Sequence, residues 1–232
     1  WVLGDFSYDE TGTVITGLSN QGLEKYNAGN RELCLPGFSP TTLENISRIG
    51  DQAFNDQVFI VVDFSRVTDL VKIGDSAFYR SKLTELDFSH ITELITIDKW
   101  AFYSSQLSSL DLSHNPKLEH IDDYAFNNSP LTALNLSQNT ALTRIGRGTF
   151  YKHNLNTIDL SQLSALTFIG QYSFAGVFGR VTNLILPETC NLRMIDESAF
   201  YSINITSPLD FSACAHLNHI GYHAFWYSKT PA

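Results

Sequence analysis

The chain has 232 residues, with 15 Lys and Arg against 24 Asp and Glu, for a formal net charge of −9. Nucleic acid and anionic lipid both need clustered cations, so this balance argues against either as a partner. Apolar residues make up 43% and aromatics 12%, enough to fill a long thin core, yet no apolar run approaches the ~20 residues of a membrane helix.

Residues 1–32 stand apart from the rest of the chain. Phe6 to Ile15 reads as two short strands around the turn Asp9-Glu10-Thr11-Gly12. Ser19 is placed as an N-cap for a short helix from Asn20 to Tyr26, with Gly29 to end it. There is no initiating Met and no signal-like segment, so the chain is expected to be an excised or processed piece of something longer. Leu33-Cys34-Leu35-Pro36 then opens a second region, 33–232, and a divergent linker with Pro40 comes next.

This second region repeats. Phenylalanines fall at Phe54, Phe78, Phe102, Phe126, Phe150 and Phe174, 24 residues apart, and Phe200 and Phe225 continue at spacings of 26 and 25. Five residues before each lies an isoleucine (Ile49, Ile73, Ile97, Ile121, Ile145, Ile169, Ile195, Ile220), and Ala, Thr or Ser always precedes the phenylalanine. The other half-unit, Leu83-Thr84-Glu85-Leu86-Asp87-Phe88-Ser89, recurs at Leu107, Leu131 and Leu155, more weakly at Val181, and in degraded form before Ser212. Apolar residues at alternate positions, as in Leu134-Asn135-Leu136, belong on one face of a strand, and neither half-unit leaves room for an ordinary helix. One unit alone exposes an apolar row, and stacking buries the rows as ladders. The 1–32 segment is expected to cap the first of them. The extra residues of the late units all enter after the A-F pair, in 175–183 and 201–208, where loop tolerance is the plainer reading and an elaborated binding edge the alternative. The chain stops soon after Phe225, so either Trp226 and Tyr227 cover the last unit or more chain continues beyond it.

The unit resembles the leucine-rich repeats of the BspA-like, or Treponema-type, class, whose pattern is L-x-x-L-x-L-P, then L-x-x-I-G-x-x-A-F, then a turn with Cys. The resemblance covers roughly residues 33–228, and implies a strand-rich leucine-rich-repeat solenoid with short helical turns and about eight stacked repeats. Two departures stand out. Ser replaces the usual Pro (Ser65, Ser89, Ser113, Ser137, Ser161, Ser212), and Ser81, Ser105 and Ser129 replace the turn cysteine. Three cysteines remain, Cys34, Cys190 and Cys214; the last two are near enough to pair, but small buried apolar residues are the expectation.

Enzyme signatures are absent: no G-x-S-x-G, no phosphate loop, no H-E-x-x-H and no C-x-x-C. No catalytic residue, cofactor or metal is expected; His90 and His114 share a column, but no third ligand column completes a shell. Three columns remain as candidates for binding. Asp63, Asp87, Asp111, Asn135, Asp159 and Asp210 lie between the strand leucines and point out of the core, where hydrogen bonding from the serine column is the structural reading and a polar or cationic ligand strip the functional one. Tyr79, Tyr103, Tyr151, Tyr201 and Trp226 come directly after the A-F phenylalanine, and packing and recognition are evenly matched for them. Trp100, Tyr124 and Tyr172 precede it by two and read as packing.

BspA-like proteins are commonly surface adhesins, and the resemblance therefore implies a non-catalytic binding module of a bacterial cell surface. Its partner would be an extracellular protein (matrix, mucin or epithelial receptor) or a glycan, in a setting of host colonisation. The array would be monomeric within a longer chain. The alternative is a rigid spacer that presents another domain.

Overall fold

A computed structural model describes residues 1–37, 45–176, 181–205 and 208–228. It is a strand-rich β-solenoid with a single α-helix among the described residues. The Pro40 linker, the tip of the 175–183 insertion (177–180) and residues 206–207 of the second insertion lie outside the described residues.

The N-terminal segment begins with the antiparallel strands β1 (Phe6–Tyr8) and β2 (Val14–Leu18), and α1 (Asn20–Asn27) comes after them. The Ser19 hydroxyl accepts from Gly22 N–H at 3.3 Å, an N-cap that satisfies one of the helix's orphan donors, and Gly29 at φ +102° ends it. β2 then joins the repeats directly: it pairs in parallel with Arg48–Ile49, setting Ile15 opposite Ile49. From there one ladder runs the length of the molecule, Ile49 to Ile73, Ile97, Ile121, Ile145, Ile169, Ile195 and Ile220, each isoleucine level with the next. Ile15 to Ile195 are all buried, and only the last-turn Ile220 is half exposed.

The continuous ladder runs through this edge and not through the L-x-L segments, where alternation alone would place it. There the sheet is broken into three separate pairs: Glu32–Cys34 with Val61–Asp63, Ser109–Asp111 with Ala133–Asn135, and Thr157–Asp159 with Asn183–Ile185. The segment around Leu86 forms no strand at all.

The A-F turns hold a second ladder that sheet pairing does not describe. Phe54 N–H donates to the Ala77 carbonyl at 2.8 Å, and the pattern repeats from Phe78 to Ala101 and from Phe102 to Ala125 at 2.8 Å each. Two residues before and two after the phenylalanines of this column the backbone is left-handed, as at Ser76 and Arg80, Trp100 and Ser104, and Tyr124 and Asn128, with φ from 52° to 60°; Gly176, two after Phe174, is the exception. Those twists aim every second N–H at the next coil, while the intervening ones close within their own turn (Ala77 N–H to Gly74, Tyr79 N–H to Ser76). Non-glycine residues in this region carry a conformational cost, which the ladder bonds offset. Inside, the phenylalanines form one stack from Phe54 to Phe225, with centroid spacings of 5.2 to 5.9 Å and tilts of at most 25°. From Phe54 to Phe200 their exposure is 0%, so each contributes about 1.5–3 kcal/mol of burial plus ring contact.

The serine column that replaces the turn cysteine is buried, and Ser105 and Ser129 hydroxyls meet at 2.7 Å. His153 occupies the next place in it. Its Nδ1 accepts from Leu155 N–H at 3.0 Å and its Nε2 lies 2.9 Å from the Phe174 carbonyl, to which it donates. Desolvation pushes its pKa down to about 4, so the ring is neutral. A Cβ on Gly176 would come within 2.8 Å of this imidazole, which is why glycine stands there.

One expectation is overturned. Cys190 and Cys214 are not separate apolar residues but a disulfide, with Cα atoms 4.6 Å apart and a separation of 24 positions in sequence. Successive coils place matching points about one strand spacing apart, within bridging range for two cysteines. Cys34 is a free, exposed thiol.

Candidate functional site

Each candidate column has its own place on the coil. In the acidic column each side chain points outward and is used locally. The Asp87 carboxylate accepts from Ser89 N–H at 2.9 Å, and Asp63, Asp111, Asp159 and Asp210 accept in the same way from the serine two residues on, at 2.8 to 2.9 Å. Asn135 replaces the carboxylate with its amide oxygen, accepting from Ser137 N–H at 3.1 Å. These are Asx-turns, which redirect the chain after each L-x-L segment. Hydrogen bonding from Ser89 holds the Asp87 carboxyl below its usual range, and Ser65 does likewise for Asp63. The Asp-x-Ser pattern therefore has a structural role at every copy. Depressions along it hold about 240 Å³ beside Asp63, Asp87 and His90, about 60 Å³ beside Asn135 and Asp159, and about 420 Å³ beside Ile185, Pro187 and Asp210. Among the described residues no three His, Cys, Asp or Glu converge on one point.

The tyrosine column behaves differently. Tyr79, Tyr103 and Tyr151 line one groove of about 690 Å³. It also includes Trp100 and Tyr124, which the sequence pattern assigns to packing, together with Asn55, Ser76, Asn127, Asn128 and Lys152. The left-handed backbone at Trp100 and Tyr124 carries their side chains onto the same surface as the tyrosines. Trp100 remains 38% exposed. Two short ring stacks result: Tyr79 on Tyr103, 5.0 Å apart and 12° from parallel, and Trp100 on Tyr124, 6.0 Å apart and 8° from parallel. Arg80 lies over the Tyr79 ring at 5.0 Å, and the Lys152 ammonium lies 5.6 Å from the centre of the Tyr151 ring.

Both ring columns are interrupted, on adjacent turns. The tyrosine column has Asn127 where a ring would stand, and its Nδ2 donates to the Gly148 carbonyl at 2.9 Å. The second column has Gly148, left-handed at φ +55°, where a Cβ would approach the Tyr124 ring to 2.7 Å. Tyr201 and Trp226, the remaining candidates, lie outside this groove. They meet edge to face at 6.1 Å near the last turn, where Tyr222, Trp226 and Tyr227 are exposed. The geometry thus separates one predicted set into a structural acidic strip, an aromatic groove over five successive turns, and a terminal aromatic cluster. No described helix is long and apolar enough to cross a membrane.

Several solved structures of bacterial proteins are similar to this chain. A leucine-rich cell surface protein from Faecalibacterium prausnitzii is 16% identical, with 98% of this chain and 52% of that one covered and a TM-score of 0.44. The leucine-rich repeat protein of T. pallidum is 17% identical, with 94% and 79% covered and a TM-score of 0.46. The pneumococcal vaccine antigen PcpA is 14% identical, with 94% and 78% covered and a TM-score of 0.44. The chain therefore spans about half the length of the F. prausnitzii structure it matches. Comparison with curated protein sequences gave no match. The model of the BspA type leucine rich repeat region matches residues 38–141 and 117–231, in six copies. With the isoleucine ladder, the phenylalanine stack and that match together, the chain belongs to the BspA-type leucine-rich-repeat family.

Proposed function

We propose that this chain is a non-catalytic recognition module of a bacterial cell-surface protein, and that it binds an extracellular protein or glycan through the groove lined by Tyr79, Trp100, Tyr103, Tyr124 and Tyr151. The observation that carries this reading is the gathering of five aromatic side chains along one surface of a stiff coil, where they remain open to solvent instead of closing the core. Aromatic rings held by a rigid backbone give contact area at little entropic cost, which is the usual makeup of a recognition hot spot. The family and the Cys190–Cys214 disulfide both support an extracellular setting, since disulfides persist in oxidising surroundings.

Binding of the purified chain to immobilised matrix proteins, mucins and glycans tests the proposal, with the Tyr79→Ala/Tyr103→Ala/Tyr151→Ala variant alongside. Binding to one class, lost in the variant while its circular dichroism and melting profile are kept, is the expected result. Binding retained in the variant moves the site to the Asp87, Asp111, Asn135 and Asp159 face or to the Tyr201 and Trp226 cluster. No binding to any surface leaves the rigid spacer as the better reading.

A further inference from the structure

Resting on the reading of the groove as the binding site, we infer that its ligand is a linear acidic glycan laid along the axis of the coil, with one sugar ring seated at Asn127 and a sugar carboxylate at Lys152.

The shape comes first. The groove runs from Asn55 on one turn, across Tyr79, Trp100 and Tyr124 on the next three, to Lys152 on the fifth. At ~4.8 Å per strand, four steps extend ~19 Å. A site that long and narrow suits a chain of repeating units better than a compact ligand.

The chemistry narrows the class. The polar lining is made of amides and a hydroxyl, with no carboxylate among the residues that form the groove. Among the described residues, the phenol hydroxyls of Tyr79, Tyr103, Tyr124 and Tyr151 bond no protein group, and the Lys152 ammonium has no carboxylate partner. Asn127 commits its Nδ2 to Gly148, which leaves its Oδ1 as the acceptor toward the groove. Aromatic faces with neutral donors and acceptors match the apolar C–H faces and hydroxyls of a sugar. Lys152, at one end, is the one cation among the residues that form the groove. Arg80 over the Tyr79 ring is paired with Asp56 at 3.8 Å, and Arg147 lies 5.8 Å from the centre of the Tyr124 ring. In a protein of net charge −9, an anionic group is therefore favoured on the Lys152 side.

The interrupted row sets the register. Tyr103 and Tyr151 stand two turns apart, so their backbones are ~10 Å apart, with no ring at Asn127 between them. A flat ring in contact with both neighbours needs ~7–8 Å between their planes, two contact distances. The excess leaves a flat aromatic or a proline loose and suits the puckered ring of a pyranose with its axial substituents. Gly148, on the next turn, keeps the second column clear beside Tyr124, because a side chain there would meet that ring.

The test uses the full 232-residue chain and tracks tryptophan fluorescence and heat on titration with four probes: a hyaluronan hexasaccharide, 3′-sialyllactose, chitohexaose and a proline-rich decapeptide. Expected are binding of an acidic sugar, a fluorescence change that disappears in Trp100→Phe, and at least tenfold weaker binding in Lys152→Gln with a shallower salt dependence. Asn127→Tyr restores the residue found elsewhere in the column, and is expected to abolish sugar binding while leaving the melting temperature within a few degrees. Preference for hyaluronan identifies an internal uronate as the source of the carboxylate; preference for sialyllactose identifies a terminal one. Chitohexaose bound as tightly as hyaluronan overturns the acidic assignment. Binding of the peptide instead of any sugar overturns the glycan. If no sugar binds but a matrix protein does, and that binding is lost in the triple tyrosine variant, the glycan inference fails while the groove stands. If nothing binds, both fail.

Discussion

The two long edges of this coil both carry rows of apolar residues, yet they do different work. On the isoleucine and phenylalanine edge the backbone ladder is unbroken from Ile15 to Ile220, and the rings beneath it stack without a gap. On the leucine edge the sheet is broken into pairs, and Leu134 and Leu184 are only partly buried. Continuity at the first edge comes from geometry that repeats along the array: the small residue before each phenylalanine, the left-handed residue two before it, and its counterpart two after it at every unit but that of Phe174. At the leucine edge most units turn on their own Asp-x-Ser bond, which acts within a coil and not between coils, and the unit of Ile185 and Pro187 lacks it. Stability is held mainly between units on one side, and shape is set mainly within units on the other.

Truncations sharpen that contrast most. Phe102→Ala removes a fully buried ring with stacked neighbours on both sides, and is expected to cost about 3–5 kcal/mol in urea unfolding. Leu134→Ala, on the other edge, is expected to cost less than half of that because the side chain is already partly exposed. Equal losses at the two positions would break the comparison.

The next effect is a pH dependence confined to the first edge. Native His153 stays neutral down to about pH 4, whereas in the unfolded chain it takes a proton near pH 6.5. The unfolded state therefore binds more protons between those values, and stability is full above pH 6.5 and falls as pH is lowered toward 4. The loss is expected to be about 3 kcal/mol. His153→Ser, which restores the residue of Ser105 and Ser129, is expected to flatten the change in urea midpoint between about pH 7 and pH 4.5. A slope unchanged in that variant would show that His153 is not its source.

The smallest effect belongs to the leucine edge. Asp87→Ala loses the bond to Ser89 N–H and is expected to destabilise by about 1 kcal/mol, while Asp87→Asn is expected to be near neutral, as Asn135 already fills that place. Since Asp63 and Asp87 titrate below the ordinary carboxylate range, their share of stability is present above about pH 3.8 and is lost as pH falls below it. That window lies under the His153 window, so the two edges can be read apart in one titration.

The fold is legible in the phenylalanine spacing alone, because a stack of rings demands a fixed period and the sequence shows it. Which edge carries the continuous sheet is not legible. Both half-units alternate apolar and polar residues, and the deciding feature is the backbone twist at positions such as Ser76 and Arg80, where the residue type gives little warning. The Cys190–Cys214 bond is half legible. Cys190 lies five residues before its isoleucine and Cys214 six before its own, near enough to pair but not in one column, and only the stacked coils show the two Cα atoms 4.6 Å apart. At the candidate groove, Tyr79, Tyr103 and Tyr151 can be read from their column. Trp100 and Tyr124 cannot, since an aromatic two residues before a buried phenylalanine looks like packing until its left-handed backbone is known.

That disulfide also has a mechanical meaning. The bonds between coils lie along the axis of the solenoid, so tension applied between its two ends loads them one coil at a time, and the array yields by peeling from an end. The Cys190–Cys214 link fastens the Ile220 coil covalently to the Ile195 coil, so these two cannot be peeled apart and the force passes to the ring-stacked coils beside them.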